Sequence, residues 1–237
     1  MAFDASAFLS KLTGWYSFDN DDGENDHDPG VNVATVRGSY ITGHVGRGTS
    51  HHGRFNRDLK FPRTSTFFGM AGWLKVPGGT STPETISNFF LRPRITKSGS
   101  ALILEGYWNF TFQALGTFVS DYDAIQTSWN HVAYSYDDTG GTDSFRMWLN
   151  GSSVATGNNS SSDTPSSDNG FYGNNQPATN HELNTDTMVN IANAHFTDDE
   201  ITWLYNSGDG RSYSELSSQA PAQNAQNNNM RNIRMAP

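Results

Sequence analysis

The sequence predicts an all-β chain folded as an antiparallel two-sheet sandwich, and three observations carry that expectation. Aromatic-rich runs of alternating polarity recur between Gly, Pro and Asn turn signals at sandwich spacing. Helical periodicity is confined to short segments near the two ends. Residues 128–155 read as a complete meander: two aromatic strands, then a third opened by the Asn150-Gly151 turn. Asn-Gly suits a type I′ hairpin because both central residues need positive φ. In that meander Trp129, His131 and Ala133 face one way and Asn130, Val132 and Tyr134 the other.

Taken in order, residues 1–12 form a lead-in with a short helical turn over 6–12. Residues 14–18 are the first strand, and the loop over 19–30 is too acidic and Gly/Pro-broken for regular structure. Short strands follow at 31–36 and 39–41, then a long Gly/His/Arg loop over 44–60. Residues 66–76 are the strongest buried strand, where Gly69, Ala71 and Gly72 predict close sheet packing. Strands are expected at 86–91, 101–105, 108–113 and 117–120. After the meander comes a polar excursion over 158–180 and a last strand at 187–194. Thr197 with Glu200 is a capping box, with Asp198 and Asp199 favouring the positive helix end. Ile201, Leu204 and Tyr205 form its apolar stripe, and Gly208 is expected to end it. From 217 the chain becomes an acid-free Asn/Gln-rich tail that lacks the apolar surface to fold alone. The expected organisation is therefore lead-in 1–12, sandwich 13–216 and tail 217–237. The core is expected between the inner faces of strands 67–76, 129–136 and 145–149.

Composition narrows the function. Six Trp, nine Tyr and fifteen Phe among 237 residues supply core bulk without cysteine, which is absent. Each aromatic buries about 150–250 Å². With 24 acidic against 15 basic side chains the net charge is −9, which disfavours nucleic acid. No stretch approaches the roughly 20 apolar residues of a membrane span. The start Met1-Ala-Phe-Asp reads as lacking an export signal, so synthesis in a cytosol is the expectation.

Catalytic constellations are sparse. Among strand-like acids, only Asp121 and Asp123 form a pair of the sort a glycosidase needs, and they read first as loop acids. No nucleophile elbow, phosphate loop or zinc spacing is present. His51 and His52 would point to opposite faces of a strand. His131 reads as a satisfied, partly buried histidine. Asp19, Asp21, Asp22, Asp26 and Asp28 offer oxygen ligands for calcium, although the spacing departs from the EF-hand pattern and a solvated acidic turn explains them as well. Tyr107, Trp108, Phe171, Tyr172 and Asn174 lie in or beside loops, either as anchors or as sugar contacts. Met230, Arg231, Ile233, Arg234 and Met235 end the tail as a solvated segment or a docking arm.

Three blocks together resemble one family. The Trp129-x-His131-Val132-Ala133 segment with its Asn150-Gly151 turn, the opening Gly14-Trp15-Tyr16-Ser17-Phe18-Asp19 with its acidic loop, and the closing segment from Phe196 to Asn206 resemble the laminin-G-like domains. These are jelly rolls of the concanavalin A type. The resemblance covers roughly residues 11–216. It implies a jelly-roll sandwich with a closing helix, and often one calcium near the first loop. The sequence departs at Asn190-Ile191, where many relatives carry an Asp-rich strand that helps hold that ion. An extracellular type of fold without cysteine or export signal points to a bacteriophage virion protein, a decoration or adhesion domain on capsid or tail. Its expected partners are other virion proteins, a homo-oligomer such as a trimer, and cell-surface glycans. A free carbohydrate-binding lectin is the alternative reading, and a glycoside hydrolase the third.

Overall fold

The computed structural model describes residues 3–20, 23–29, 34–36, 39–50, 53–55, 67–75, 84–85, 94–98, 101–108, 111–119, 128–137, 141–159, 171–172 and 184–219. Their strands, in chain order, are β1 (Leu12–Tyr16), β2 (Ala34–Val36), β3 (Ser39–Thr42), β4 (Arg47–Ser50), β5 (Gly53–Phe55), β6 (Phe67–Lys75), β7 (Glu84–Thr85) and β8 (Arg94–Ser98). They continue as β9 (Ala101–Trp108), β10 (Thr111–Val119), β11 (Asn130–Asp137), β12 (Gly141–Leu149), β13 (Ser152–Asn159), β14 (Phe171–Tyr172) and β15 (Asn184–Ala192). Among the described residues there are also three α-helices, α1 (Ala5–Lys11), α2 (Asp198–Tyr205) and α3 (Tyr213–Gln219), and a 3-10 turn at Asn206–Gly208. The architecture is an all-β antiparallel sandwich, as the alternation in the sequence predicts.

The large sheet runs β13-β12-β11-β6-β15-β4-β3, with β1 also paired to β15. Two smaller sheets run β10-β9-β8-β7 and β14-β5-β2. One edge of β15 is taken by β6; the other is shared, β4 holding Asn184–Asp186 and β1 holding Met188–Ile191. The partner changes at a break in register between Asp186 and Val189, where Thr187 has φ +38°. Such a bulge re-aims the flanking side chains.

The central strands of the large sheet are buried on both faces, so they read as nearly continuous apolar runs. Directly paired residues share a face. Ala133, Ala71, Val189, Trp15 and Trp148 line one face together, where they meet Phe8 and Leu9 of α1, Ile201 and Leu204 of α2, Leu216 of α3, and Phe196. On the other face Met70, Tyr134, Met147 and Met188 are equally buried, as the inner face of a sandwich requires. The small residues at 69 and 71 have their reason here: a Cβ on Gly69 would come within 2.8 Å of Phe196.

Several sequence expectations shift. The 44–60 segment contains β4 and β5, and β8 arises where no strand was expected. Residues 108–113 do not form one strand; Trp108 ends β9 and pairs across a hairpin with Thr111 of β10. A two-residue strand, β14, stands in the polar excursion and pairs with β5. The expected strand at 86–91 lies outside the described residues.

The capping box forms as read, with Glu200 N donating to Thr197 Oγ1 at 3.2 Å and Thr197 N to Glu200 Oε2 at 2.8 Å. The same carboxylate accepts from Lys11 Nζ at 2.6 Å, tying α2 to α1 in a largely buried ion pair. Asn206, at φ +49°, ends α2 two residues before Gly208. Instead of one terminal helix there are two, since α3 crosses the expected boundary at 217.

Candidate functional site

The described part of the molecule with the densest chemistry is the end of the large sheet where β11 begins and β6 ends. Its construction starts at Asn150-Gly151. Both residues have positive φ, +48° and +80°, as an Asn-Gly hairpin turn demands. The Asn150 side chain then acts as a strand extension: Oδ1 accepts His131 N at 2.9 Å and Nδ2 donates to Asn130 Oδ1 at 3.0 Å. A Cβ on Gly151 would lie 2.6 Å from Tyr205, so the tyrosine ring packs directly on the turn.

Around this turn the rings form a connected set. Trp73 stacks on Tyr205 at 5.8 Å and tilts against His131 at 5.3 Å. His44 lies 3.9 Å from Trp73 and 6.5 Å from Trp129, centroid to centroid. Trp73 is buried, whereas Trp129, Tyr205 and His44 are half-buried. His131 departs from expectation. It is only 2% exposed, and its Nδ1 has no hydrogen-bond partner. Leaving such an atom unpaired costs about 1–3 kcal/mol. Burial first, and then neighbouring His44, push its pKa down to about 3, so the ring is neutral near pH 7.

His44 is held by an inverted anion site. The buried Asp186 carboxylate accepts backbone N–H bonds from His44, Val45 and Gly46 through one oxygen, and the Thr187 hydroxyl through the other. Desolvation pushes the Asp186 pKa up, and these donors pull against it. A Cβ on Gly43 would fall 2.4 Å from that carboxylate, which explains glycine there. The far side of the same turn is gripped by Asp19, whose Oδ1 accepts Arg47 N at 2.9 Å. His44 Nε2 donates to the Gly208 carbonyl, joining the turn to the segment after α2.

Carboxylates of the acidic loop also serve the fold. Asp19 Oδ1 accepts Arg47 N, and Asp26 Oδ2 accepts Ser17 N, both at 2.9 Å. Asp28 is half-buried beside His27 and Tyr213, while Asp21 and Asp22 lie outside the described residues. Among the described residues no group of three or more His, Asp or Glu side chains is placed to hold a metal ion.

The sugar-contact candidates separate into two sheets. Tyr107 and Trp108 stand at the end of β9, opposite Phe112 and Thr111. Phe171 and Tyr172 form β14, opposite Arg54 and Gly53. Asn174, the Asp121/Asp123 pair, His51, His52 and the arm Met230, Arg231, Ile233, Arg234 and Met235 lie outside the described residues. Sequence reasoning missed His44, Trp73, Tyr205 and Asp186 as one cluster, because residues 44, 73, 186 and 205 meet only through tertiary packing of a turn, two strands and a helix. No helix among the described residues is long and apolar enough to cross a membrane.

No protein-family model matches the sequence, and neither does any curated protein sequence. Solved structures do match. Domain 4 of AbnA, an extracellular GH43 arabinanase from Geobacillus stearothermophilus solved with arabinotriose, is 19% identical at a TM-score of 0.61. The match covers 81% of this chain and 97% of that domain. The binding domain of Paraclostridial Mosquitocidal Protein 1 is 13% identical at a TM-score of 0.60, over 84% of this chain and 52% of that one. A structure of botulinum neurotoxin type C, whose cell entry depends on interaction with two ganglioside molecules, is 12% identical at a TM-score of 0.59, over 86% of this chain and 53% of that one. The chain thus spans about half of each toxin structure but nearly all of the arabinanase domain. At these identities the likeness establishes the fold alone, an all-β sandwich.

Proposed function

We propose that the chain is a non-catalytic glycan-binding module displayed on a virion. The observation that carries the reading is the fold likeness along nearly the full length of a domain solved with arabinotriose. Six described carboxylates have structural roles, which supports a non-catalytic reading. Asp4 caps α1, Asp19 and Asp186 hold the turn at 43–47, Asp198 accepts the Trp148 indole, Glu200 closes the capping box, and Glu215 holds Arg211 and Ser212. A glycosidase needs two carboxyls free for chemistry, about 5–5.5 Å or 6.5–9.5 Å apart. Sugar recognition instead needs aromatic rings and hydrogen-bonding groups, residue types that the sequence offers at Tyr107, Trp108, Phe171, Tyr172 and Asn174.

The full-length chain should bind saturably on a broad glycan array and to arabinotriose by calorimetry, without releasing a hydrolysis product. Silence across the array would end the glycan reading, and product release would end the non-catalytic one. Running both assays with calcium and with chelator tests the 19–28 loop; a loss of binding in chelator would assign Asp19, Asp21, Asp26 and Asp28 to a calcium site. Placement on a virion rests on a cysteine-free chain and an acid-free tail ending in Met230, Arg231, Ile233, Arg234 and Met235 as a docking arm. Mass spectrometry of purified particles checks it, and absence of the protein from them would overturn it. Homo-oligomerisation, as a trimer, is part of the same proposal and is read by light scattering.

A further inference from the structure

The aromatic set at the β11 end of the large sheet has an outer member whose exposure the core does not explain. Trp129 lies one residue beyond the Asn130–Leu74 pair, and continuing that register sets it opposite Lys75. Both residues are half-buried. The His44 ring lies 6.5 Å from that of Trp129 and 3.9 Å from that of Trp73, tilted against both. A carbonyl only accepts, so the contact with Gly208 fixes the proton on His44 Nε2. In the neutral ring Nδ1 is then the acceptor. Beneath lies His131, buried and with Nδ1 unpartnered.

We propose that this rim is a subsite for one ring of an uncharged sugar, resting on the glycan-binding reading above. The ring stacks on Trp129, one hydroxyl donates to His44 Nδ1 and another accepts from Lys75 Nζ. Three features argue for a sugar. A half-buried aromatic face and polar groups of both donor and acceptor type lie at one strand end, which fits a ligand with apolar faces and a polar edge. The site is also held in place before any ligand arrives: Asp186 clamps the His44 turn, the Asn150 amide clamps β11, and Tyr205 seats on Gly151. Preorganisation of this kind lowers the cost of binding. An uncharged sugar is favoured over a carboxylated one because the net charge is −9 and exposed Asp209 follows the carbonyl that His44 grips.

The test uses the full-length chain with xylotriose, cellotriose and maltotriose as uncharged probes and 3′-sialyllactose as the charged one. Calorimetry should show binding of at least one neutral probe, weakened about tenfold or more in Trp129→Ala and in His44→Ala, with Trp129→Phe close to wild type. Thermal unfolding controls for folding. A second readout needs no variant: the neutral probe should protect Trp129 of the wild-type chain from N-bromosuccinimide oxidation, mapped by mass spectrometry. Glycan binding that is unchanged by Trp129→Ala and leaves Trp129 unprotected overturns the subsite while the glycan-binding reading stands. Preference for the sialylated probe overturns the uncharged class. No binding of any glycan removes both proposals.

Discussion

At the scale of residues, His131 shows how position in the fold overrides composition. The Trp-x-His-Val-Ala pattern places it on one face of a strand, but only the closed fold removes it from water. Its folded pKa, about 3, lies below the ordinary 6.5. Between those values the unfolded chain binds the additional proton, so stability falls as the pH drops through that window. The slope for one such group reaches about 1.4 kcal/mol per pH unit. Asp186, raised by burial, acts in the opposite sense, gaining relative stability as the pH falls. Comparing wild type with His131→Gln isolates the histidine. Urea unfolding from pH 7 to pH 5 should show a steeper loss in wild type than in the variant. Parallel curves would mean that His131 does not stay neutral in the fold.

At the scale of elements, the segments legible in the sequence are those whose signals are local. The β11–β12–β13 meander, β6 and the capped α2 follow from alternation, an Asn-Gly turn and a Thr-x-x-Glu box. The missed elements fall into two kinds. The short strands β4 and β5 are Gly- and Arg-rich, and β4 exists because β15 and the Asp186 carboxylate hold it. Helix α3 has few apolar residues, yet Ser212 and Glu215 form a second capping box that the sequence does display: Ser212 N donates to Glu215 Oε2 at 2.8 Å, and Glu215 N to Ser212 Oγ at 3.4 Å. That signal was available from the Ser-x-x-Glu spacing. The reading of Gly69 as a packing glycine can be tested directly. Gly69→Val drives a branched side chain into Phe196 and Ile191, and urea unfolding should show a loss of about 2 kcal/mol or more. A neutral outcome would mean that α2 and its preceding segment do not press on β6.

At the scale of the whole molecule, the two ends of the described chain meet. Helix α1 and helix α3 bury Phe8, Leu9 and Leu216 in one cluster on the same face of the large sheet. The boundary for a shortened chain therefore belongs after Gln219, not at 216. A chain of residues 1–219 should melt close to the full-length protein by calorimetry. One ending at residue 212 loses Leu216 from the core, and should be destabilised by about 3 kcal/mol or more. Equal melting of the two shortened forms would show that α3 contributes nothing to the sandwich.

By itself, the sequence determined the class of fold, the central strands, the α2 capping box and the Asn-Gly turn, because each depends on a period or spacing within a dozen residues. Tertiary structure decided what stands beside what. The bulge in β15 aims Asp186 at a turn far from it in sequence, and that turn carries His44 to Trp73 and Trp129. Sheet pairing sent Tyr107 and Trp108 to one small sheet and Phe171 and Tyr172 to another. Pairing across such distances is chosen by the burial of the whole core, a sum over many residues that no local pattern contains.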